Sequence, residues 1–349
     1  MSVLKFLLLP FAMLYDAIMD MRNRLYDMKL KPSTAFDIPV ISVGNLAVGG
    51  TGKTPMVEYL IRLLSPSYRV VTLSRGYGRK TRGFRFAGDH DSARTLGDEP
   101  YQIYKKFKPT VHVTVCEDRA LAIPMILQEF PETGVVIMDD AFQHRRVIPG
   151  FSVLLTEYQN LFYEDHSLPY GRLREGPEGA KRADAIVVTK CPVPLEGDAV
   201  MTIERNIKKF SSKPIFFSTI RYGEPVAFGD PAKKISKNVI LLTGIANAHV
   251  LEEYVKKNFR LAEHVAYRDH YYFKPSDLQR IEHLLQNNSH EDVSILTTEK
   301  DKVKLEGEEF KLLVSRLPLF YLPIEAEFIR SGKDFDALVM SFMNSVKPD

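Results

Sequence analysis

Ile38 to Pro55 reads IPVISVGNLAVGGTGKTP, and the reading of this stretch decides the fold. Ile38–Val43 is short, apolar and β-branched, which predicts a buried strand. A glycine-rich turn, Gly44 to Gly52, comes next, and Lys53 and Thr54 close it. Helical periodicity begins by Met56 and runs to Leu64. Strand, glycine turn and helix N-terminus in this order form a phosphate cradle. The glycines let backbone N–H groups turn toward phosphate oxygens, and the helix dipole adds positive potential. Gly49, Gly50, Thr51, Gly52, Lys53 and Thr54 are therefore the candidate nucleotide-binding residues. Lys53 can reach β- and γ-phosphates, and the Thr54 hydroxyl suits Mg²⁺. The strict G-x-x-x-x-G-K-[ST] spacing is not met, because Ala47 stands five residues before Gly52. Gly44, Gly49 and Gly50 still supply the freedom the turn needs.

Outward from the loop, apolar runs alternate with helical ones. Tyr68–Ser74, Val111–Val115, Val135–Met138, Val153–Leu155 and Ala185–Val188 read as strands. Asp98–Phe107 and Asp118–Phe130 read as helices. This alternation predicts an α/β P-loop domain with a doubly wound, mostly parallel sheet. A second series begins near Arg221. Strands are expected at Val239–Thr243 and Val293–Leu296, helices at His249–Asn258 and Pro275–Leu285. An extended stretch, Leu319–Phe328, and a terminal helix, Phe335–Val346, complete the chain. The expected organisation is an N-terminal amphipathic helix (1–33), a nucleotide-binding domain (34–212), a linker marked by Pro214, Pro225 and Pro231 (213–232), a smaller α/β lobe (233–318) and a closing strand and helix (319–349).

Composition bounds the function. Of 349 residues, 45% are hydrophobic and 26% charged, enough for a globular core. The net charge of +3 is too small for the basic stripe of a nucleic-acid binder. It suits an anionic substrate or an anionic membrane surface. Cys116 and Cys191 have neither disulfide-framework nor zinc spacing, and a reducing, cytosolic environment is the simplest reading. VLKFLLLPFAML, Val3–Leu14, is too short to span a bilayer, and no cleavage site comes after it. Tyr15 to Lys31 mixes apolar and charged residues at helical spacing, with basic residues toward its end. Such a helix lies on a membrane surface or packs on the domain.

Two further places carry chemistry. VVIMDD, Val135–Asp140, is an apolar strand ending in two aspartates, the usual Mg²⁺-side partner of a P-loop. Either Asp139 or Asp140 meets the metal on this reading; a solvated turn is the alternative. Asp98 heads a helix, and its position alone also fits an N-cap. Arg75, Arg119 and Arg174 are candidates for anionic groups, since guanidinium forks match phosphate oxygens. TEKD, Thr298–Asp301, and Thr189–Lys190 are similar to base-reading loops at strand ends, without being specific.

The ordered motifs are GNLAVGGTGKTP, LSRGYGRK (Leu73–Lys80), GDEP (Gly97–Pro100), DDAFQH (Asp139–His144), LPYGRLRE (Leu168–Glu175), TGIAN (Thr243–Asn247), DHYYF (Asp269–Phe273) and TTEKDKVKL (Thr297–Leu305). Together the set resembles the tetraacyldisaccharide 4′-kinase family over most of the chain. Ala141 stands where that family has glycine. The resemblance implies transfer of the ATP γ-phosphate to the 4′-hydroxyl of a tetraacylated glucosamine disaccharide 1-phosphate, with ATP and Mg²⁺ as cofactors. It makes Asp98 the acceptor base and His270 its partner in another lobe, assembled by lobe closure, with Lys53 and Asp140 also catalytic. Thr54, Glu99 and Asp139 become the metal-side residues. Asn45, Arg75, Arg119, Gln143, His144 and Arg174 become the substrate contacts. The expected partners are the anionic glycolipid and a membrane surface, with no nucleic acid and no obligate protein. The expected place is peripheral, at the cytoplasmic face of a bacterial inner membrane. A P-loop switch or metallochaperone ATPase acting on a protein would share the P-loop and VVIMDD.

Overall fold

The computed structural model describes residues 7–287 and 292–346. Residues 3–6 of the apolar N-terminal run lie outside them. Two sheets organise the chain. In the larger sheet β1 (Val40–Asn45) lies between β5 (Val135–Asp139) and β6 (Phe151–Glu157). Beyond β5 come β2 (Val70–Ser74), β4 (His112–Val115) and β3 (Arg85–Phe86). Beyond β6 come β7 (Ala185–Thr189), β8 (Ile215–Tyr222) and β14 (Ile324–Arg330). Every pairing is parallel except those of β3 and β14, which close the edges antiparallel. The central strands are buried along their whole length, as expected when helices cover both faces of a parallel sheet.

Among the described residues the smaller sheet has five strands. β9 (Val226–Ala227) runs antiparallel to β13 (Leu319–Leu322). β10 (Asn238–Thr243), β11 (Arg260–Ala266), β12 (Val293–Thr298) and β13 are mutually parallel. The helices used below are α1 (Leu9–Asp27), α2 (Lys53–Leu64), α3 (Ala93–Leu96), α4 (Asp98–Phe107), α5 (Arg119–Glu129), α6 (Gly197–Ile207), α7 (His249–Asn258), α8 (Pro275–Asn287), α9 (Glu299–Lys302), α10 (Lys311–Val314) and α11 (Gly332–Ser345).

Two expectations about the organisation are corrected. The stretch 213–232 is not a plain linker, because β8 occupies 215–222 and extends the larger sheet. Its flanking prolines, Pro214 and Pro225, sit outside the strand, where a missing N–H costs no ladder bond. The segment 319–349 is not one closing unit. β13 belongs to the small sheet, while β14 and α11 return to the large one. The two crossings lie side by side, with the Gly223 N–H donating to the Pro323 carbonyl at 2.9 Å. α6 and β11 were not anticipated.

α1 packs on the body through polar groups. The Tyr15 hydroxyl donates to the Arg174 carbonyl and Arg22 to the Gln143 carbonyl, each at 2.8 Å. Asn23 donates to Glu175 at 2.8 Å. Only Ala12 of this helix is buried. Phe11, Met13, Leu14, Ile18 and Met21 remain exposed. The helix stops at Asp27, short of Lys31, and Lys29 turns left-handed at φ 58°. Among the described residues no helix is long and apolar enough to cross a membrane.

α11 completes the core beneath the P-loop helix. Phe335, Val339 and Met343 are fully buried in one cluster with Met56, Val57 and Leu60 of α2. The Phe335 ring meets Phe216 edge-on at 5.2 Å and lies 4.7 Å from Phe328. Phe335→Ala should therefore cost about 3–5 kcal/mol. Chemical denaturation checks this, and a loss below about 1 kcal/mol would mean that α11 only rests on the lobe.

Candidate active site between the two sheets

The site begins with strand register. β1 and β5 are hydrogen-bonded neighbours with Val43 opposite Asp139. The loop after β1 and the turn after β5 are therefore adjacent at the carboxyl edge, the usual place for a ligand in an open α/β sheet. Gly44 has no room for a side chain, because an added Cβ would lie 2.6 Å from Phe142 Cβ. Gly52 precedes α2 with φ 85°, a left-handed turn that glycine adopts without strain.

The loop is braced from below. Asn45 Nδ2 donates to Thr51 Oγ1 at 2.8 Å, and Thr189 Oγ1 donates to the Thr51 carbonyl at 2.9 Å. Asn45 is completely buried, and through this bond it shapes the loop. Thr189 has the same bracing task, and Lys190 pairs with Glu157 at 2.9 Å.

Facing the loop is an electrostatic cluster. Lys53 Nζ lies 3.7 Å from Asp140 Oδ1, and Arg174 donates to the same oxygen at 2.9 Å. Burial disfavours charge on Asp140, but Lys53 and Arg174 outweigh it and hold its pKa below the usual range. Asp139 behaves oppositely. Burial and the neighbouring Asp140 charge push its pKa up to about 7, and its Oδ1 is buried without a hydrogen-bond partner. Arg119 is buried nearby, its guanidinium 3.4 Å from the Asp140 carbonyl. Gln143 donates to the Asn45 carbonyl at 2.8 Å and to Glu175 at 3.0 Å. Burial and the Arg119 charge lower the His144 pKa to about 4, which leaves a neutral imidazole at physiological pH.

The opposite wall joins α4 of the larger lobe to His270 and Lys300 of the small one. Asp98 opens α4, but the N-cap is Gly97 and no side chain caps the helix. The Asp98 carboxylate instead lies 3.0 Å from His270 Nδ1. Asp98 is 2% exposed and sits behind the imidazole, while His270 lines the cavity. His270 adopts φ 54° and its ring packs 4.9 Å from that of Tyr77. Glu99 pairs with Lys300 at 2.8 Å. Burial opposes charge on Glu99, yet Lys300 and His270 prevail and lower its pKa.

All of this opens on one cavity of about 860 Å³. Gly49 to Thr54, Arg75, Glu99, Arg119, Asp139, Asp140, Gln143, His144 and Arg174 line it, together with His270. The sequence reading missed three contributions: Tyr15, Met19 and Arg22 of α1, Tyr222 and Ile324 from the strand crossings, and Lys300. TEKD pointed to the neighbourhood of Lys300 but not to its partners, which come from separate helices and loops. Among the described residues no three His, Cys, Asp or Glu side chains form a metal-binding group.

The chain matches the family described as tetraacyldisaccharide-1-P 4′-kinase over residues 4–344. It belongs to that family. A relative named tetraacyldisaccharide 4′-kinase from Flavobacterium johnsoniae is 43% identical over 347 residues, covering 98% of each chain. One of the same name from Bacteroides thetaiotaomicron is 38% identical, covering 94% of this chain and 90% of its own. The crystal structure of the "apo" form of LpxK from Aquifex aeolicus in complex with ATP superposes with a TM-score of 0.76 at 31% identity. That match covers 98% of this chain and 100% of the other.

Asp139 links the charge of the site to the stability of the fold. Its carboxyl titrates near about 3.9 when unfolded and near about 7 when folded. The stability held by its neutral form is complete below the unfolded value and is lost as pH rises through about 7. Asp139→Asn should therefore raise Tm at pH 8 in metal-free buffer, and the gain should shrink toward pH 4. Melting curves across that range check the sign; a gain that grows with acidity would refute the burial argument.

Proposed function

We propose that this protein transfers the γ-phosphate of ATP to the 4′-hydroxyl of a tetraacyldisaccharide 1-phosphate. One observation carries the reading: the P-loop, the paired aspartates and His270 of the smaller lobe line a single cavity, with Asp98 of the P-loop lobe held against the far side of the His270 ring. A switch ATPase has no need for an acid–imidazole pair facing its phosphate loop.

Phosphoryl transfer is largely positioning and charge stabilisation. Gly49 to Thr54 would cradle the triphosphate, and Lys53 would contact its β- and γ-oxygens. Arg119 and Arg174 add cations on the same wall. The acceptor hydroxyl oxygen bonds to the γ-phosphorus as the bond to ADP breaks. The hydroxyl proton would pass to His270 Nε2, the ring nitrogen that Asp98 does not hold. Asp98 holds the other ring nitrogen, fixing the tautomer and stabilising the imidazolium that forms. This makes His270 the base and Asp98 its orienting partner, the reverse of the sequence-based assignment. Mg²⁺ would be held by Thr54, Asp139 and Glu99, with nucleotide oxygens completing its shell. The partnerless buried Asp139 oxygen fits a cation there. When bound, the ion neutralises phosphate charge.

The glycolipid fits the placement of α1. Its apolar residues are exposed, while Tyr15, Met19 and Arg22 reach the cavity. A helix lying in a membrane interface would let acyl chains stay in the lipid while the sugar enters the cleft. Because ATP is cytoplasmic, the surface concerned is the cytoplasmic face of the inner membrane.

Transfer of labelled γ-phosphate to purified disaccharide 1-phosphate tests the activity. Lys53→Ala should abolish labelling, and His270→Ala should lower kcat by about 10²–10⁴-fold. ATP hydrolysis that never labels the lipid would refute the proposal. For the surface, the combined Phe11→Glu, Leu14→Glu and Ile18→Glu variant should no longer sediment with anionic vesicles while keeping its Tm. Undiminished sedimentation would remove α1 from the membrane contact.

A further inference from the structure

Lys300 is absent from the family-based roles above, yet its ammonium sits at the centre of the wall that α4 and the small lobe share. It comes after Glu299 at the start of α9, whose N-cap Thr298 accepts from the Asp301 N–H. Lys300 Nζ lies 2.8 Å from Glu99 Oε1, 3.3 Å from Asp269 Oδ1 and 3.4 Å from His270 Nε2. An ammonium has three N–H donors and no lone pair. These three contacts use its full donor set.

The consequence falls on His270. An ammonium can only donate, so its 3.4 Å contact favours an Nε2 that carries its lone pair, with the hydrogen on Nδ1, although Asp269 Oδ2 at 3.7 Å and Glu99 Oε1 at 4.0 Å also lie near Nε2. Nδ1–H then donates to Asp98 Oδ2 at 3.0 Å. Lys300 and Asp98 thus select the same tautomer from opposite sides of the ring. Other ion pairs already tie the lobes together. Lys106 meets Glu299 at 2.8 Å, Arg94 meets Glu309 at 2.9 Å and Lys105 meets Glu306 at 3.2 Å. None of those three cations lines the cavity, and Lys300 does.

We propose that Lys300 is a positioning residue for the transfer reaction, holding the His270 ring with its lone pair on Nε2 and keeping the place that the acceptor hydroxyl takes. The proposal rests on His270 as proton acceptor. On substrate entry the hydroxyl replaces the ammonium at Nε2, and Lys300 keeps its bond to Glu99. The ring is then already in the tautomer and orientation that proton removal needs, so no rearrangement precedes chemistry.

The test uses the full chain and two readouts. In kinetics, Lys300→Met should lower kcat by about 10–100-fold, the range for residues that orient a functional side chain. KM for ATP should stay within about twofold of wild type, because Lys300 does not contact the phosphate loop. Lys300→Arg, which keeps the cation, should recover most of kcat. The Lys300→Met, His270→Ala double variant should be no slower than His270→Ala alone, since residues acting as a unit are not additive. The second readout needs no turnover. Long-range ¹H–¹⁵N spectra of histidine-labelled protein should show neutral His270 as the Nδ1–H tautomer, and Lys300→Met should mix in the Nε2–H form. Lys300→Gln is the replacement if Lys300→Met folds poorly, judged by the same outcomes. Wild-type kcat in Lys300→Met, with His270→Ala slow, overturns the Lys300 proposal alone. So does an unchanged tautomer, or fully additive losses. Wild-type kcat in His270→Ala overturns the base assignment, and this proposal with it.

Discussion

The parallel pairing of β1 with β5 places Val43 opposite Asp139, and the rest of the site hangs on that register. A parallel ladder brings the same ends of two strands together, so the loop leaving β1 and the turn leaving β5 must share one edge. The P-loop and the DDAFQH turn meet there with no other device. A one-residue slip would turn every side chain of β5 to the opposite face. Both faces of β5 are buried and apolar, so the register is held by side-chain fit within each layer and not by a contrast of polarity.

Charge is distributed unevenly over that edge. Lys53 and Arg174 neutralise Asp140, and Lys300 neutralises Glu99. Asp139 has burial without an equivalent partner, and its raised pKa is the result. A deeply buried acid beside cations committed elsewhere is a poor arrangement for stability and a good one for receiving a ligand. His144 is held neutral by the same surroundings. The cleft therefore carries unfavourable electrostatics of the kind that a phosphate and a cation relieve.

The lobes are joined by two adjacent strand crossings and clasped by side chains along α4. Asp98, Glu99, Lys105 and Lys106 of this one helix all reach residues of the smaller lobe. Behind them Lys304, itself buried, lies 2.7 Å from Asp301 and 3.8 Å from Asp98. α4 also contacts the P-loop helix through Gln102 and Lys106 to Glu58, at 2.9 and 2.7 Å. The nucleotide loop and the acid–imidazole pair are thus connected through one rigid element, not through a flexible hinge alone.

The sequence alone determined what local chemistry can determine. IPVISVGNLAVGGTGKTP specifies strand, cradle and helix because glycine freedom and apolar periodicity are properties of adjacent residues. Asp98–Phe107 and His249–Asn258 were legible to the residue for the same reason. VVIMDD announced its aspartates because it ends an apolar run. β8 escaped notice because its flanking prolines read as a linker, and only its neighbours β7 and β14 make it a strand. Tertiary structure alone decided that β14 and α11 return to the first lobe, that Asn45 braces the loop from a buried position, and that Asp98 lies behind His270. It alone brought Lys300 to Glu99, Asp269 and His270. Those contacts join residues roughly 30 to 200 positions apart. No local pattern encodes such distances; the packing of two sheets across one cleft does.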